Sequence, residues 1–492
     1  MFWASSSEGA LMIKIAGFAP DADKTTPGIL TDCENLIPNI VGMTGAPSAV
    51  TPSGVPALAA ACQGASVVTK LDGTRRLIAG TATKLYELSS GTWTDRSRAG
   101  NYTGGGESNW AITQFGDATL AANRSDIIQR STTGAFADIA TAPKASIIFS
   151  VGAFVMALNV NDGTEKPDGW HCCAAYDDTS WTPSTATQAT SGRLVATAGQ
   201  IIAGGKLGEY AVAYKNRSMY LGQYVGAPVV WDWVQVIGGN AGCIGRNAWC
   251  DLDGTHFFVG EDNFWLFDGT RPTPLADGVL RQWFASNCAP SYKYKIICTY
   301  DKLTNLVWIF YPSINSSTLD SALVYHVTSK RWGRANRAIQ VALEYTASSI
   351  TINGLDALSA TINELPNIPF DSQYWLSGGR AMSVFDTSNQ LQSLTGSSTS
   401  SSMTTGNVGD DDAVTLLQQI RLRYETQPTT ATALSFSTMQ SGGSMVAGPS
   451  GTLNDGKFDI LKSARWHKAK ISFTGPVTVT GMNAKFKTVG TR

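Results

Sequence analysis

A short phrase returns along the chain: an apolar strand, a turn, an apolar or aromatic strand, then Gly or Asp followed by an aromatic residue. The clearest copy covers residues 77–80 and 84–88 and ends on Gly91, Thr92, Trp93 and Asp95. A second covers 110–115, 118–122 and 127–130 and closes on Phe136 and Asp138; a third covers 147–151 and 154–158, with Trp170 and Trp181 beyond. The fourth takes 210–214 and 218–221 and closes on Trp231, Asp232 and Trp233. The fifth takes 256–259 and 264–267 before Asp268 and Gly269. The sixth is the plainest, with 296–300, 306–311, 323–327 and Trp332, and a weaker seventh falls at 374–392.

The copies recur at roughly 35 to 55 residues, the spacing of four-stranded propeller blades and too long for a solenoid of short coils. The expected fold is therefore all-β, with a β-propeller core. One blade cannot bury both of its faces alone; it buries them against its neighbours, and closing the ring removes exposed sheet edges. The aromatic near each blade's end is expected to wedge between adjacent blades. An antiparallel sandwich with irregular hairpins is the alternative that an approximate repeat leaves open.

Charged residues make up 15% of the 492, and Gly numbers 49, a balance that suits turn-rich β structure with few helices. Val279, Leu280, Trp283 and Phe284 fall at helical spacing and predict one helix over 277–284. The start of the chain lacks the basic segment, long apolar core and small-residue cleavage site of a signal peptide, and no apolar run reaches the ~20 residues that span a bilayer. A soluble protein made in the cytoplasm, beginning at Met1 or Met12, is the expectation. Eight cysteines (Cys33, Cys62, Cys172, Cys173, Cys243, Cys250, Cys288, Cys298) form no C-x-x-C pair, which argues for buried thiols rather than a zinc site or disulfide framework.

The chain divides into an extended arm with isolated strands (1–58), the propeller (59–392), a polar linker (393–411) and a C-terminal β domain (412–492). The linker is a run of Ser, Thr and Gly too poor in apolar residues to pack. The Pro-rich arm has little capacity to fold alone and is expected to lie across the C-terminal sheet, forming with it an antiparallel β platform. Loss of residues up to Val50 is then expected to harm assembly more than the propeller. In the C-terminal domain Ala469, Ile471 and Phe473 alternate with Lys468, Lys470 and Ser472, which predicts one buried and one basic face. Residues 457–492 carry eight Lys/Arg against one Asp, +7, which leaves −8 on residues 1–456.

No catalytic constellation stands out. His171, His256, His326 and His467 have no second His or carboxylate at a metal-ligating spacing and read as structural. Propellers that cleave glycosides need paired carboxylates; here Asp177, Asp178, Asp251, Asp253, Glu261 and Asp262 sit beside turns, where Asp caps local backbone. The run from Ser89 to Trp93 partly matches the Asp-box of sialidases but lacks the aspartate. No phosphate-binding glycine pattern opens a helix. Neither an enzymatic activity, a cofactor nor a metal is expected.

Several segments together resemble the tail nozzle or hub proteins of short-tailed bacteriophages (podoviruses), the group that includes packaged-DNA stabilisation proteins. Near the start these are Gly17 to Asp23, Thr25 to Gly28 and Asn35 to Pro38; in the body, Phe258 to Asn263, Phe267 to Gly269, Asn305 to Pro312, Leu323 to Tyr325 and Trp332. At the end they are Gly456 to Asp459, Ser463 to His467 and Phe473 to Gly475. The resemblance covers most of the chain and lies in the order of the phrases. It implies a virion protein of the tail: a hexameric ring below the portal and adaptor, a channel for DNA, and an outer surface for tail fibres or spikes. It supplies no catalytic residues. No distinct tip insertion is recognisable in the sequence, so the resemblance does not separate a nozzle from a shorter hub or plug.

A conduit must let a polyanion slide, and a lining of Lys and Arg would hold DNA in a tight, salt-dependent grip. The −8 on residues 1–456 suits a passage without sequence-specific contact. The basic strand face has three readings, DNA contact, docking on an acidic neighbour or an ordinary solvated sheet face, and of the first two docking suits ejection better. The expected assembly interface is Pro20, Asp21 and Asp23 in the arm with Arg465, Lys468, Lys470, Lys485 and Lys487 in the C-terminal domain. The competing function is a carbohydrate-binding or glycoside-hydrolysing propeller, in which some of the fourteen Trp stack on sugars. A secreted adhesin would require the signal peptide that the sequence lacks.

Overall fold

The computed structural model describes residues 13–52, 54–346, 361 and 380–491. Its strands pair into six free-standing four-stranded sheets and one seventeen-stranded sheet. Five of the small sheets are consecutive antiparallel meanders: blade 1 from Gly64–Thr69 to Thr92–Asp95, blade 2 from Ala111–Phe115 to Ala137–Asp138, blade 3 from Lys144–Val151 to Thr190–Arg193, blade 4 from Ala203–Leu207 to Val230–Gln235, and blade 5 from Trp249–Asp251 to Thr273–Pro274. A sixth meander, from Ile297–Asp301 to Arg331–Ile339, has the same form but continues into the large sheet. Val341–Thr346, Arg380–Phe385 and Leu391–Gly396 form blade 7 together with Ser48–Val50. Each innermost strand packs on the next, and that of blade 7 on that of blade 1, so the ring closes as a β-propeller. The weak copy at 374–392 falls partly on blade 7; its first six residues lie outside the described ones.

The closing aromatics do wedge between blades. Trp93 of blade 1 packs on Phe385 of blade 7 (ring centroids 5.8 Å apart), Trp233 of blade 4 on Trp170 of blade 3 (5.7 Å), and Trp332 of blade 6 on Phe264 of blade 5 (5.2 Å). Phe136 of blade 2 lies under the Arg76 guanidinium of blade 1 (5.9 Å). Each reaches the preceding blade, supplying the apolar area that a lone blade cannot bury. A second set stands at the inner strands: Trp249 lies over Gly205 of blade 4, where a Cβ would come within 1.9 Å of the indole.

The platform is a two-layered sandwich. One layer orders Ile29–Glu34, Ser400–Thr405, Trp466–Thr474, Thr430–Thr438 and Val446–Asn454; the other holds Lys457–Ala464, Ala413–Thr426 and Thr478–Thr491. Arm strands join both: Ile13–Lys14 and Met43–Gly45 pair with Thr478–Thr491, and Gly17–Phe18 runs parallel to Ile29–Glu34. Ile420, Leu422, Phe458, Ile460, Ala469, Ile471 and Phe473 fill the space between the layers, and one buried cluster runs from there through Phe18, Leu30 and Leu36 into blades 4 to 6.

Three expectations about organisation need correction. Residues 393–411 are not a linker: Leu391–Gly396 is a blade strand, and Ser400–Thr405 is a central strand of the platform with Met403 fully buried. Ladder bonds on both sides hold this polar strand, and Thr405 Oγ1 both donates to Gly406 O and accepts from Ala469 N. The boundary at 58/59 is displaced, because Ser48–Val50 closes blade 7 through Val50 against Ser393 and Ser48 against Gly396. Loss of the arm through Val50 therefore opens the propeller itself. The helix spans Arg281–Asn287, later than 277–284, because Gly278 is left-handed (φ 69°) and the helical run begins only beyond it.

All eight cysteines are buried free thiols. No helix among the described residues is long and apolar enough to cross a membrane.

Candidate functional site

The arm residues expected at an interface make contacts within the chain. Asp21 donates its N–H to Val279 O (3.0 Å), and its carboxylate accepts the N–H groups of Gln282 and Trp283 at the start of the helix. The helix has no cap of its own: Leu280 stands at the N-cap position without a side-chain bond. Around this corner Phe18 meets Trp283 edge-on (5.0 Å), and the Arg334 guanidinium lies over the Trp283 ring (5.7 Å) and 3.5 Å from Asp32. Pro20 is half-buried beside it. Asp23 caps its own turn, accepting Thr25 N (2.9 Å) and Thr25 Oγ1 (2.8 Å), and these bonds hold its carboxyl below the usual range.

The basic residues fall on two outer faces. Ala469, Ile471 and Phe473 point into the sandwich, so Lys468 and Lys470 stand on the outside of one layer, opposite Phe436 and Leu434 of the neighbouring strand. Lys485 and Lys487 stand on the outside of the other layer, exposed, while Phe486 between them turns inward onto His467 (5.3 Å). The single basic face expected from the sequence is therefore divided. Burial lowers the pKa of Lys468, and the nearby charge of Lys24 lowers it further against the opposing pull of Asp32. Arg465 is half-buried, its Nε sealed without a partner.

The four histidines are built into the packing. His171 Nε2 bonds Trp181 O (2.7 Å), and His256 bonds both Tyr214 Oη (2.7 Å) and Lys206 O (2.8 Å). His326 Nδ1 accepts Ser329 N (3.0 Å), and His467 Nε2 donates among Thr415 and Ala464 oxygens at 3.0 to 3.2 Å. Burial holds all four below the ordinary imidazole range. Of the turn carboxylates, Asp177 caps Thr179, Asp178 pairs with Arg130, Asp251 accepts Gly254 N and Asp253 pairs with Lys302. Glu261 and Asp262 border a surface cleft beside the helix together with Arg281 and Lys293. Among the described residues no group of three His, Cys, Asp or Glu is placed to hold a metal ion.

One cluster escaped the sequence reading. Residues one or two positions before the innermost strands of blades 1, 2, 5, 6 and 7 converge on an axial mouth of about 200 Å³ that Arg246, Lys295 and Glu107 also line. No motif joins positions so far apart, so only the closed ring reveals it.

No family model and no curated protein matches the chain. Among solved structures, the chain is similar to YCF48 bound to D1 peptide, at 12% identity over 62% of this chain and 92% of that one (TM-score 0.37). It is also similar to PorZ, a bacterial surface component of the type-IX secretion system of Porphyromonas gingivalis, at 10% identity over 58% of this chain (TM-score 0.32); the match spans 39% of the PorZ chain.

Proposed function

We propose that the chain is a structural virion protein of a short-tailed phage: a subunit of a tail nozzle or hub ring that continues the DNA channel below the portal–adaptor complex. In that role it retains packaged DNA and passes it during ejection. The supporting observation is where the phrases that resemble that family fall. Gly17, Phe18 and Asp21 from the opening meet Trp332 and the helix beside blade 5, and Leu36 pairs with Arg334. The strand that follows the closing phrases holds both ends of the same arm, with Ile13 opposite Met482 and Met43 opposite Val479. Propeller and platform are thereby fastened by one strap, as suits a part that must keep its shape while a polymer under pressure passes.

The glycan-binding alternative has less behind it. Every described tryptophan is buried or half-buried, and several are the inter-blade wedges, so they do not form an open stacking platform.

Purified protein examined by light scattering and negative-stain imaging, alone and mixed with portal–adaptor particles, tests the proposal. A closed ring with an axial pore that binds the adaptor end is the expected result. A monomer that ignores those particles and binds or hydrolyses glycans would overturn it.

A further inference from the structure

The axial mouth contains a cation without a counter-ion. Arg246 donates Nη1 to Asn109 O (2.7 Å), but its Nη2 is sealed from solvent and has no partner. Gly245 fixes the segment by close approach, since a Cβ there would lie 2.5 Å from Tyr294 O. Across the same cavity Gln63 donates Nε2 to Gly105 O (3.0 Å), which leaves its buried Oε1 unpartnered. The other charges are accounted for. Glu107 is held by Lys295 Nζ (3.1 Å) and Tyr294 Oη (3.1 Å), and Lys295 also reaches Ser317 O (3.2 Å).

Arg246 and Lys295 against Glu107 give the mouth a net charge of +1, with one unused donor and one unused acceptor. Desolvating a guanidinium without an opposite charge is costly, and a planar fork of N–H donors matches oxyanions. Burial alone lowers the Arg246 pKa to about 10, in keeping with the missing counter-charge. A neutral water at either orphan atom would leave the charge uncompensated.

We propose that the axial mouth binds a small oxyanion that also carries a hydroxyl, with Arg246 and Gln63 turning slightly so that its oxygens accept from the guanidinium and its O–H donates to Gln63 Oε1. A hydroxycarboxylate and hydrogen phosphate share that chemistry. Bound there, the ion links the segments that precede blades 1 and 5 and stiffens the ring at its axis. This inference stands apart from the virion role and survives or fails independently of it.

Calorimetry on the full chain, with inorganic phosphate and with malate as separate probes and ionic strength held constant with chloride, tests it. The expected result is one saturable site per chain for at least one probe. Arg246→Met is expected to weaken binding at least tenfold, and Glu107→Gln, which removes the mouth's negative charge at a largely exposed position, to tighten it severalfold. Binding of phosphate alone assigns a phosphate ligand; binding of malate alone assigns a hydroxycarboxylate. Should Arg246→Met not fold, the native chain and Glu107→Gln decide. Absence of saturable binding of both probes by the native chain, or an affinity that Glu107→Gln leaves unchanged, overturns the proposal.

Discussion

The carboxylate of Asp21 accepts the backbone N–H of Trp283 at 3.0 Å, a contact between residues 262 positions apart in the chain. The same carboxylate accepts Gln282 N, so a helix without a local cap is capped by the N-terminal arm. One side chain thereby ties the strap of the platform to the propeller.

Asp21→Ala is expected to lower stability by about 1 to 2 kcal/mol, the cost of an absent helix cap with two amides left to find water. Denaturant unfolding measures the loss. Asp23→Ala, which removes a cap on an exposed turn only, is expected to cost less than half as much.

A second prediction concerns the joint between blades 1 and 2. Arg76 is buried and bonds Glu87 (Nε to Oε1, 2.7 Å) within blade 1, Thr119 Oγ1 (3.1 Å) and Ser131 Oγ (3.2 Å) in blade 2, and Arg96 shares the same glutamate (2.8 Å). Glu87→Gln leaves the Arg76 charge without its near partner and is expected to cost about 3 to 5 kcal/mol. The double change Arg76→Met with Glu87→Gln is expected to recover part of that. A loss in the double variant equal to the sum of those in Arg76→Met and Glu87→Gln alone would show that the pair carries no coupling.

Much of this architecture was legible because it follows from local pattern. Runs such as Leu306 to Tyr311 and the closing Trp93, Trp233 and Trp332 announce strands and wedges, since burial on both faces selects apolar and aromatic residues there. Features set by partners distant in sequence were not legible. Ser48–Val50 is a blade strand only because Leu391–Gly396 needs an outer neighbour, and Ser400–Thr405 is a core strand only because strands pair on both sides of it. The split of the lysines had the same origin: alternation places Lys468 and Lys485 outward, but which outside each one faces depends on the layer its strand joins. Arg246 has no local signature at all.

Stability should depend on pH through the buried histidines. His256 Nε2 donates to Lys206 O, so Nδ1 is left to accept the Tyr214 hydroxyl, a neutral ring with both nitrogens satisfied. Burial holds His256, His171 and His467 below the ordinary value near 6.5; among nearby charges Asp251 opposes this at His256, Asp162 opposes and Lys166 adds to it at His171, and Lys462 adds to it at His467. The unfolded chain takes up these protons near pH 6.5 while the folded chain does not. Stability is therefore complete above about pH 6.5 and falls as pH drops below it, before the depressed carboxylates Asp126 and Asp168 begin to titrate. Urea midpoints at pH 7.5, 6.5 and 5.5 should show the decline between the last two, reduced in His256→Phe; a flat profile over that range excludes it.

Gly205 tests the inner wedge. A methyl group there would lie 1.9 Å from the Trp249 ring, which is held between blades 4 and 5 and rests on His256 (4.7 Å). Gly205→Ala is expected to displace the indole and cost about 1 to 3 kcal/mol through overpacking. Gly208 lies in a turn where a Cβ would meet nothing within 4 Å, and its backbone is left-handed (φ 58°). Gly208→Asn therefore supplies a control expected to stay within about 0.5 kcal/mol of the native chain.

The lysines give the sharpest test of the proposed ring. Lys468 lies near Lys24, with Asp32 as the opposing charge, so an acidic partner on that face would relieve repulsion that the fold leaves in place. Lys468→Glu with Lys470→Glu is expected to abolish assembly with the adaptor end while the isolated chain keeps its stability, because a glutamate beside Lys24 does not burden the fold. Lys485→Glu with Lys487→Glu alters the opposite outer face and is expected to leave assembly intact. Imaging of rings and the thermal midpoint of the free chain, measured on both double variants, separate assembly from folding. If the first pair assembles normally but shifts the salt dependence of DNA binding, the face contacts DNA and the docking role is wrong, since phosphate contacts and not protein partners set that slope.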